Sequence, residues 1–338
     1  MKPGVSVIIC CYNSAKRLPK TLHHLALQEV PDHIPWEVIV VNNASTDDTV
    51  QIAEQEWTQY NLSIPFRIVE QPKPGLSNAR DKGFEVAAYE YCLFCDDDNW
   101  LQKDYVRIAF ETMESDPTIG AVGGQGEPVF EGDKPSWFDE YRGLYAIDSQ
   151  GNVGDITREK GHLYGAGMAV RKFGYERILE GYFANVLSDR IGSSLSSGGD
   201  TEICFALVLA GYKICFNPQL HFKHFITQNR LNKTYLVKLK LSISGSWILL
   251  QPYLYAIKGK RYDKYTWYKD VIYKIFSFFR SFNQLLLFIK GKESFFSAFL
   301  VIKAQKKALI TILMKKKLYE STVFFLSDKI IPLLKEKT

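Results

Sequence analysis

Short apolar runs of strand length alternate with polar turns and amphipathic segments, and this order constrains the fold more than any other feature of the chain. The run from Val5 to Cys11 is almost continuously apolar, and it precedes a polar turn and a segment whose leucines recur at helical spacing. Further runs follow at 36–41, 66–69 and 91–95. Strands that alternate with helices predict a mostly parallel sheet with right-handed crossovers and helices on its faces.

Polar turns follow three of the predicted strands at the point where each strand ends. The turns are Tyr12-Asn13, Asn42-Asn43 and Asp96 to Asp98. In open α/β sheets, ligands bind in the crevice outside the carboxyl ends of the strands. We therefore expect these three turns to converge on one crevice. Beyond the second turn, Ser45 or Thr46 is predicted to cap a helix that runs to about residue 59.

The third of these turns consists of three consecutive carboxylates. Such a cluster disfavours burial unless a cation neutralises its charge. Proteins hold Mg²⁺ or Mn²⁺ with one or two carboxylates and leave the remaining positions to water and phosphate oxygens. A solvated acidic turn after a strand is the alternative that these residues leave open.

The stretch from residue 119 to 235 is less regular. Its glycines and prolines between residues 119 and 170 indicate either turns or a close backbone approach to a ligand. Asp200 lies at the start of a predicted helix, where a carboxylate is either an N-cap or a positioned base. A short strand is predicted at 213–216, and His224 beyond it is either a metal or phosphate ligand or a structural side chain.

Charge divides the chain into an acidic body and a basic tail. Residues 1–229 hold 20 Lys and Arg against 31 Asp and Glu, whereas residues 230–338 hold 22 against 6. The aromatic, lysine-rich helices predicted after residue 236 suit either an anionic cytoplasmic membrane surface or a lid packed on the body. No nucleic-acid-binding motif accompanies the lysines. The cysteines form no disulfide framework and the chain starts directly in a strand, so we expect a cytoplasmic protein, peripheral at the inner face of the cell membrane.

Taken in order, the motifs resemble those of the family 2 glycosyltransferases, which are inverting enzymes with a GT-A fold that use nucleotide-sugar donors. The matching segments are Val5–Ala15, Val40–Asp47, Gly75–Asp81, Asp96–Asp98, Gly199–Asp200 and His224. Four positions depart from the family pattern: Cys10-Cys11 replaces a frequent Pro-Thr, Asn42 replaces an Asp that binds the base, and Gly199 replaces the Glu of a Glu-Asp motif.

The resemblance implies a role for each candidate site residue. Asp200 is implied as the general base, and Asp98 with His224 as ligands of Mn²⁺ or Mg²⁺. The residues implied on the nucleotide-sugar side are Cys11, Tyr12, Asn13, Asn42, Arg80, Asp96 and Asp97. Those implied on the acceptor side are Gly167, Met168 and Glu202.

The resemblance also implies an organisation and a reaction. Residues 1–235 are expected to form the GT-A catalytic domain, with a nucleotide-sugar half at about 1–118 and an acceptor half at about 119–235, and residues 236–338 a helical extension. The expected reaction is inverting, metal-assisted transfer of a hexose or N-acetylhexosamine, from a UDP-linked donor, to a hydroxyl of a glycan or lipid-linked acceptor in cell-envelope polysaccharide synthesis.

Two other functions stay open at this point. A non-catalytic sugar-nucleotide-binding scaffold is the first, because Asn42 and Gly199 depart from the family pattern. A nucleotidyltransferase is the second, because it shares this type of sheet. Such an enzyme normally carries a Gly-rich loop with Arg or Lys after the first strand, and residues 11–14 lack one.

Overall fold

The computed structural model describes residues 2–174, 186–187, 189–192, 195–260, 262–292 and 294–326. Within these residues a single nine-stranded sheet forms the centre of the molecule. Its strands are β1 (Lys2–Cys11), β2 (Trp36–Asn42), β3 (Phe66–Glu70), β4 (Tyr89–Phe94), β5 (Asn99–Leu101), β6 (Ile119–Phe130), β7 (Gly154–Asp155), β8 (Ala169–Arg171) and β9 (Lys213–Ile226).

Helices cover the sheet and continue beyond it toward the carboxyl terminus. Those over the first part of the sheet are α1 (Leu18–Ala26), α2 (Thr49–Thr58), α3 (Leu76–Val86), α4 (Tyr105–Ser115), α5 (Phe138–Tyr141) and α6 (Gly199–Leu209). The later ones are α7 (Lys233–Leu249), α8 (Gln251–Ile257), α9 (Thr266–Ser281), α10 (Asn283–Ile289), α11 (Phe295–Met314) and α12 (Lys316–Phe325).

The strands lie in the order β3-β2-β1-β4-β8-β6-β9-β5, and β7 pairs with β9. The pairs β1–β2, β2–β3, β1–β4 and β6–β9 are parallel, whereas β8, β5 and β7 run antiparallel to their neighbours. The carboxyl ends of β1, β2 and β4 therefore lie side by side at one edge. The predicted α/β class, with a mostly parallel sheet, flanking helices and a C-terminal helical region, is confirmed.

β9 is longer than the strand predicted at 213–216, and β6 forms where the sequence pattern indicated turns or a close approach to a ligand. β6 spans 12 residues and β9 spans 14, and they pair in parallel along most of their length. Glycines that were predicted to mark turns allow the two strands to approach this closely. A Cβ atom on Gly124, for example, would lie only 1.8 Å from the carbonyl oxygen of Leu220. The predicted cap of the second helix is wrong in position, since α2 begins only at Thr49.

The sheet separates two hydrophobic clusters. Along β4 and the residue after it, Cys92 and Phe94 belong to one cluster while Leu93 and Cys95 belong to the other, as expected for alternating strand positions. The first cluster continues into the C-terminal helices through Tyr253 and other side chains, so these helices pack on one face of the sheet. Among the described residues, no helix combines the length and apolar character needed to cross a bilayer.

Candidate functional site

A cleft of about 820 Å³ opens at the edge where β1, β2 and β4 end. Residues from the turns after these strands line it together with residues of the 162–166 and 189–192 segments and of α6. Of the residues predicted from sequence, those that line the cleft are Cys11, Tyr12, Arg80, Asp96, Asp97, Asp98, Asp200 and His224. The edge of the sheet thus gathers residues that are up to about 200 positions apart in the chain.

Asp98 and His224 become neighbours because β5 pairs antiparallel with β9. Asn99 lies opposite His224 in this pairing, and the Phe225 amide donates a hydrogen bond of 2.8 Å to the Asp98 carbonyl oxygen. Nδ1 of His224 lies 2.9 Å from the Tyr145 carbonyl oxygen, which can only accept, so Nδ1 is the donor. Nε2 of His224 then faces Oδ1 of Asp98 at 3.5 Å.

Asp98 is buried and also forms an ion pair with Arg230. Nη1 of Arg230 lies 2.8 Å from Oδ2 of Asp98. Burial by itself would raise the pKa of Asp98, but His224 and Arg230 outweigh this effect and hold the pKa of that carboxyl well below its usual range. The two partners therefore favour the anionic form of Asp98. Arg230 lies shortly after His224 in the sequence, and only the tertiary structure shows that its guanidinium group reaches the Asp98 carboxylate.

Asp97 has an arginine partner of its own. Nη2 of Arg17 donates to Oδ2 of Asp97 at 2.5 Å. Burial, and then the charge of Asp98, raise the pKa of Asp97 and of Asp96, because three anions at one turn oppose one another. The acidic turn is thus enclosed by guanidinium groups, and Arg17 carried no signal in the sequence that pointed to this role.

The donor atoms beside Asp98 fit a hexacoordinate divalent cation. The described residues hold no group of three or more His, Cys, Asp or Glu side chains arranged to bind a metal ion. Asp98 Oδ1 and His224 Nε2, 3.5 Å apart, suit two adjacent ligands, because ligands about 2.1 Å from Mg²⁺ lie about 3 Å apart at neighbouring octahedral corners. The other corners would go to phosphate oxygens and water, as is usual for this ion.

Asp200 is the second residue of α6, and its carboxylate faces the cleft. Its Oδ2 accepts a hydrogen bond of 2.7 Å from the Gly165 amide, and its Oδ1 accepts one of 2.8 Å from the Thr201 amide. The N-cap position belongs to Gly198, so Asp200 does not cap the helix. A carboxylate offers about four lone pairs, and these two bonds leave it able to accept a proton.

Two predicted nucleotide-side residues support the turns and do not line the cleft. Oδ1 of Asn13 accepts from the Thr46 amide at 2.8 Å, which ties the turn after β1 to the turn after β2. Nδ2 of Asn42 donates to both carboxylate oxygens of Glu70, at 3.1 and 2.9 Å. Its neighbour Asn43 lines the cleft instead.

The residues predicted on the acceptor side also lie behind the cleft surface. The Gly167 carbonyl oxygen accepts from the Tyr105 hydroxyl at 2.7 Å, and the carbonyl oxygen of the fully buried Met168 accepts from the Phe94 amide. Gly167 has a φ of 70°, in the left-handed region that glycine adopts without strain. This stretch therefore forms the support of the cleft wall, while Tyr164 to Ala166 form its surface.

Glu202 is fully buried and holds a neighbouring segment in place. Its carboxylate accepts hydrogen bonds from the Val186 amide at 2.7 Å and the Leu187 amide at 3.0 Å. The Tyr253 hydroxyl of α8 donates to the same carboxylate at 2.8 Å. Burial raises the pKa of Glu202 to about 7. Glu202 thus links α6, the 186–187 segment and the C-terminal helices.

Comparisons with known proteins point in one direction. The model of the family described as glycosyl transferase family 2 matches residues 6–179. A poly-β-1,6-N-acetyl-D-glucosamine synthase from Staphylococcus epidermidis is 29% identical over 36% of this chain and 28% of its own length. The chain therefore spans less than a third of the length of the curated relative it matches.

Two solved structures share the fold across most of the chain. The mannosyltransferase PcManGT from Pyrobaculum calidifontis, in complex with GDP-Man and Mn²⁺, has 16% identity and a TM-score of 0.57, covering 94% of this chain and 88% of its own. S. aureus TarS 1-349, in complex with UDP-GlcNAc, has 17% identity and a TM-score of 0.51, covering 100% and 93%.

The raised pKa of Glu202 predicts a pH-dependent stability. The unfolded carboxyl titrates near 4.5 and the folded one near 7, so between these values the folded chain retains a proton that the unfolded chain loses. The contribution of Glu202 to the free energy of unfolding should fall by about 1.4 kcal/mol for each pH unit across this range. Urea unfolding from pH 4.5 to 7 should show a shallower decline for Glu202→Gln than for the parent. The exposed Glu54→Gln serves as the control, and equal slopes for all three proteins would contradict the prediction.

Proposed function

Because this chain belongs to glycosyl transferase family 2, we propose that it moves a sugar from a UDP-linked donor to a hydroxyl group of a glycan or lipid-linked acceptor, with inversion at the anomeric carbon. The observation that carries the proposal is the cleft in which Asp98 with His224, the guanidinium groups of Arg17 and Arg230, and Asp200 face a common space. Cation site, anion site and proton acceptor are the groups that such a transfer requires.

The arginines at the acidic turn support the proposal that the donor carries a diphosphate. Arg17 and Arg230 both line the cleft, where their positive charges would attract the anionic oxygens of a diphosphate. Tyr12 is 46% exposed at the rim of the cleft and offers a ring on which a nucleobase stacks. The UDP-GlcNAc bound to TarS supports a uracil donor, whereas the GDP-Man bound to PcManGT makes guanine the alternative to test.

Asp98 and His224 are proposed to hold Mn²⁺ or Mg²⁺ against the diphosphate. A bound cation would offset the negative charge that develops on the departing nucleoside diphosphate. The negative charge of Asp98 suits this task, and the hydrogen bond from Nδ1 of His224 to the Tyr145 carbonyl oxygen directs Nε2 at the same site, where the deprotonated nitrogen would serve as a ligand. The Mn²⁺ in the PcManGT complex agrees with this assignment.

Asp200 is proposed to act as the general base. The acceptor oxygen bonds to the anomeric carbon as the bond from that carbon to the diphosphate oxygen breaks, and the hydroxyl proton passes to the Asp200 carboxylate. The amides of Gly165 and Thr201 fix the direction in which this carboxylate points. Attack from the face opposite the diphosphate inverts the anomeric configuration.

The orientation of α9, with a polar buried face and an aromatic exposed face, supports membrane attachment of the proposed extension, residues 236–338. On α9 the buried face is mainly polar, and its Asp270 accepts hydrogen bonds from the hydroxyls of Tyr255 and Tyr319. The outward side chains of Tyr273, Phe276 and Phe279 are 64%, 69% and 65% exposed. Exposed aromatic side chains grouped on one face of a helix are typical of a surface that contacts a membrane or another protein.

The charge of this region favours an anionic lipid surface as that environment. Between residues 264 and 326 the sequence holds 12 Lys and Arg against 3 Asp and Glu, and lipid headgroups supply the opposite sign. Other apolar side chains of α10 and α11, including Ile289 and Phe295, are also exposed. The extension thus packs on the sheet with one side and offers the other to the membrane.

The cation site predicts a specific loss in Asp98→Asn. An amide gives up the charge that holds the ion, so we expect transfer to be abolished and the Mn²⁺-dependent rise in unfolding temperature with UDP to disappear. The measurement is a thermal-shift series with UDP-, GDP- and dTDP-sugars, with and without Mn²⁺, together with a transfer assay. Exposed Asp133→Asn is the matched control. Full transfer by Asp98→Asn would refute the assignment.

The general base predicts a change in turnover without a change in donor binding. Asp200→Asn keeps an oxygen for the Gly165 amide but cannot take the proton, so kcat should fall by a factor of about 10² or more. The donor dissociation constant should stay within about threefold of the parent, since that group does not bind the nucleotide. Equal losses in donor binding and turnover would assign Asp200 a structural role.

The outer face of α9 predicts two-component binding to vesicles that contain phosphatidylserine. Lysine attraction should weaken with salt, while aromatic insertion should persist. Combined Tyr273→Ser, Phe276→Ser and Phe279→Ser should remove most of the salt-resistant sedimentation and leave transfer to a short soluble acceptor intact.

The matched control replaces three exposed apolar residues of the catalytic body, Leu27, Leu62 and Val153, with serine. Failure of the parent to sediment at low salt would refute membrane attachment. A change from dimer to monomer in the α9 variant, without vesicle binding by the parent, would identify a second copy of the chain as the occupant.

A further inference from the structure

Arg80 and Asp189 form a buried ion pair at the wall of the cleft. Nη1 of Arg80 lies 2.6 Å from Oδ2 of Asp189, and the two side chains are 8% and 4% exposed. Arg80 belongs to α3, whereas Asp189 belongs to a segment 109 positions later in the chain. A buried pair of this kind repays its desolvation only with good geometry, and removing one partner strands the other charge.

The position of this pair explains the absence of a side chain at residue 199. A Cβ atom on Gly199 would lie 2.7 Å from Oδ2 of Asp189 and 3.1 Å from Nη1 of Arg80. Gly199 does not have a positive φ, and it is the first residue of α6, where a carboxylate interacts favourably with the helix dipole. The backbone at 199 therefore accepts a side chain, and the carboxylate of Asp189 occupies the space that it would need.

Arg80 also reaches toward Asp200. The site that a Cβ atom on Gly165 would occupy lies 2.8 Å from Nη2 of Arg80 and 3.3 Å from Oδ2 of Asp200. The guanidinium thus lies between two carboxylates, one of which is the proposed base. Burial lowers the pKa of Arg80, but Asp189 and Asp200 outweigh that effect and raise it, so the group stays charged.

The segment that carries Asp189 is fixed on both sides. Glu202 binds the amides at 186 and 187, and the Ser77 hydroxyl donates to the Leu187 carbonyl oxygen at 3.0 Å. The Leu76 amide donates to the Arg190 carbonyl oxygen at 3.0 Å. Asp189 itself has a φ of 54°, a conformation that aspartate adopts more readily than most residues. This anchoring indicates that the location of its carboxylate is specified by the fold.

We propose that Asp189 is a positioning residue: it supplies from the 189–192 segment the carboxylate that the Glu-Asp pattern carries at position 199, and it holds Arg80 so that Arg80 does not pair fully with Asp200. Without Asp189, the guanidinium would turn to Asp200 and occupy the lone pairs that receive the acceptor proton. This inference rests on the proposed role of Asp200.

Moving the carboxylate from position 189 to position 199 tests the proposal. Asp189→Gly removes the carboxylate and tolerates the positive φ, and Gly199→Glu offers a carboxylate from the other segment. We expect each single variant to lose about tenfold or more in kcat with a smaller change in donor KM, and the double variant to regain about tenfold over Asp189→Gly. The control pair Asp189→Gly with Gly199→Gln has the same size without the charge and should regain nothing.

A second readout separates this inference from the proposed function. Urea unfolding midpoints of the parent, Asp189→Gly, Gly199→Glu and their double variant measure the energetic coupling of positions 189 and 199 without any reaction. If Asp189→Gly does not fold, Asp189→Asn takes its place. A double variant no more stable than expected from the two single changes overturns the carboxylate exchange. Restored stability without restored kcat overturns the positioning role. Absence of transfer by the parent refutes the proposed function. The unfolding midpoints would still show whether a carboxylate at position 199 replaces the one at position 189.

Discussion

The burial of Asp98 between the guanidinium group of Arg230 and the imidazole of His224 is the constraint on which the site depends. The carboxylate comes to rest between His224 and Arg230 because β5, only three residues long, pairs with the far end of β9. That pairing in turn requires β9 to continue well past Phe216, alongside β6. The long β6–β9 ladder is therefore what turns an acidic surface turn into a charged, enclosed site.

A second chain of contacts connects the C-terminal helices with the proposed base. Tyr253 of α8 donates to Glu202, and Glu202 accepts from the amides of Val186 and Leu187. Asp189 pairs with Arg80 beside Asp200. The bonds from Tyr253 and Leu187 and the pair of Arg80 with Asp189 are buried, so a displacement of α8 carries a cost that reaches the cleft. The helices after residue 233 are thus part of the support of the site, and their outer face remains available to another surface.

The two alternatives for the tail are consequently compatible. One side of the helical region shares the hydrophobic cluster of the sheet, as a lid would, through residues such as Ile312 and Tyr319. The opposite side carries the exposed aromatic residues of α9. The polar buried face of that helix shows why its periodicity alone gave no answer: the pattern identifies two faces but not which one turns inward.

Alternation of strands and helices, the polar turns at the strand ends and the order of the motifs were sufficient to predict the sheet class, its ligand-binding edge and eight of the residues that line the cleft. The sheet class and its ligand-binding edge follow from strand periodicity and turn chemistry, whereas site residues such as Arg80, Asp200 and His224 were implied by the resemblance to the family. Contacts between distant segments were decided only by the tertiary structure: Arg17 with Asp97, Arg230 with Asp98, and Asp189 with Arg80. The same holds for Glu202, which the resemblance implied on the acceptor side, whereas packing against α8 buries it behind the cleft surface. Neither charge pairing nor burial can be read from spacing, because both depend on which segments the sheet brings to the same edge.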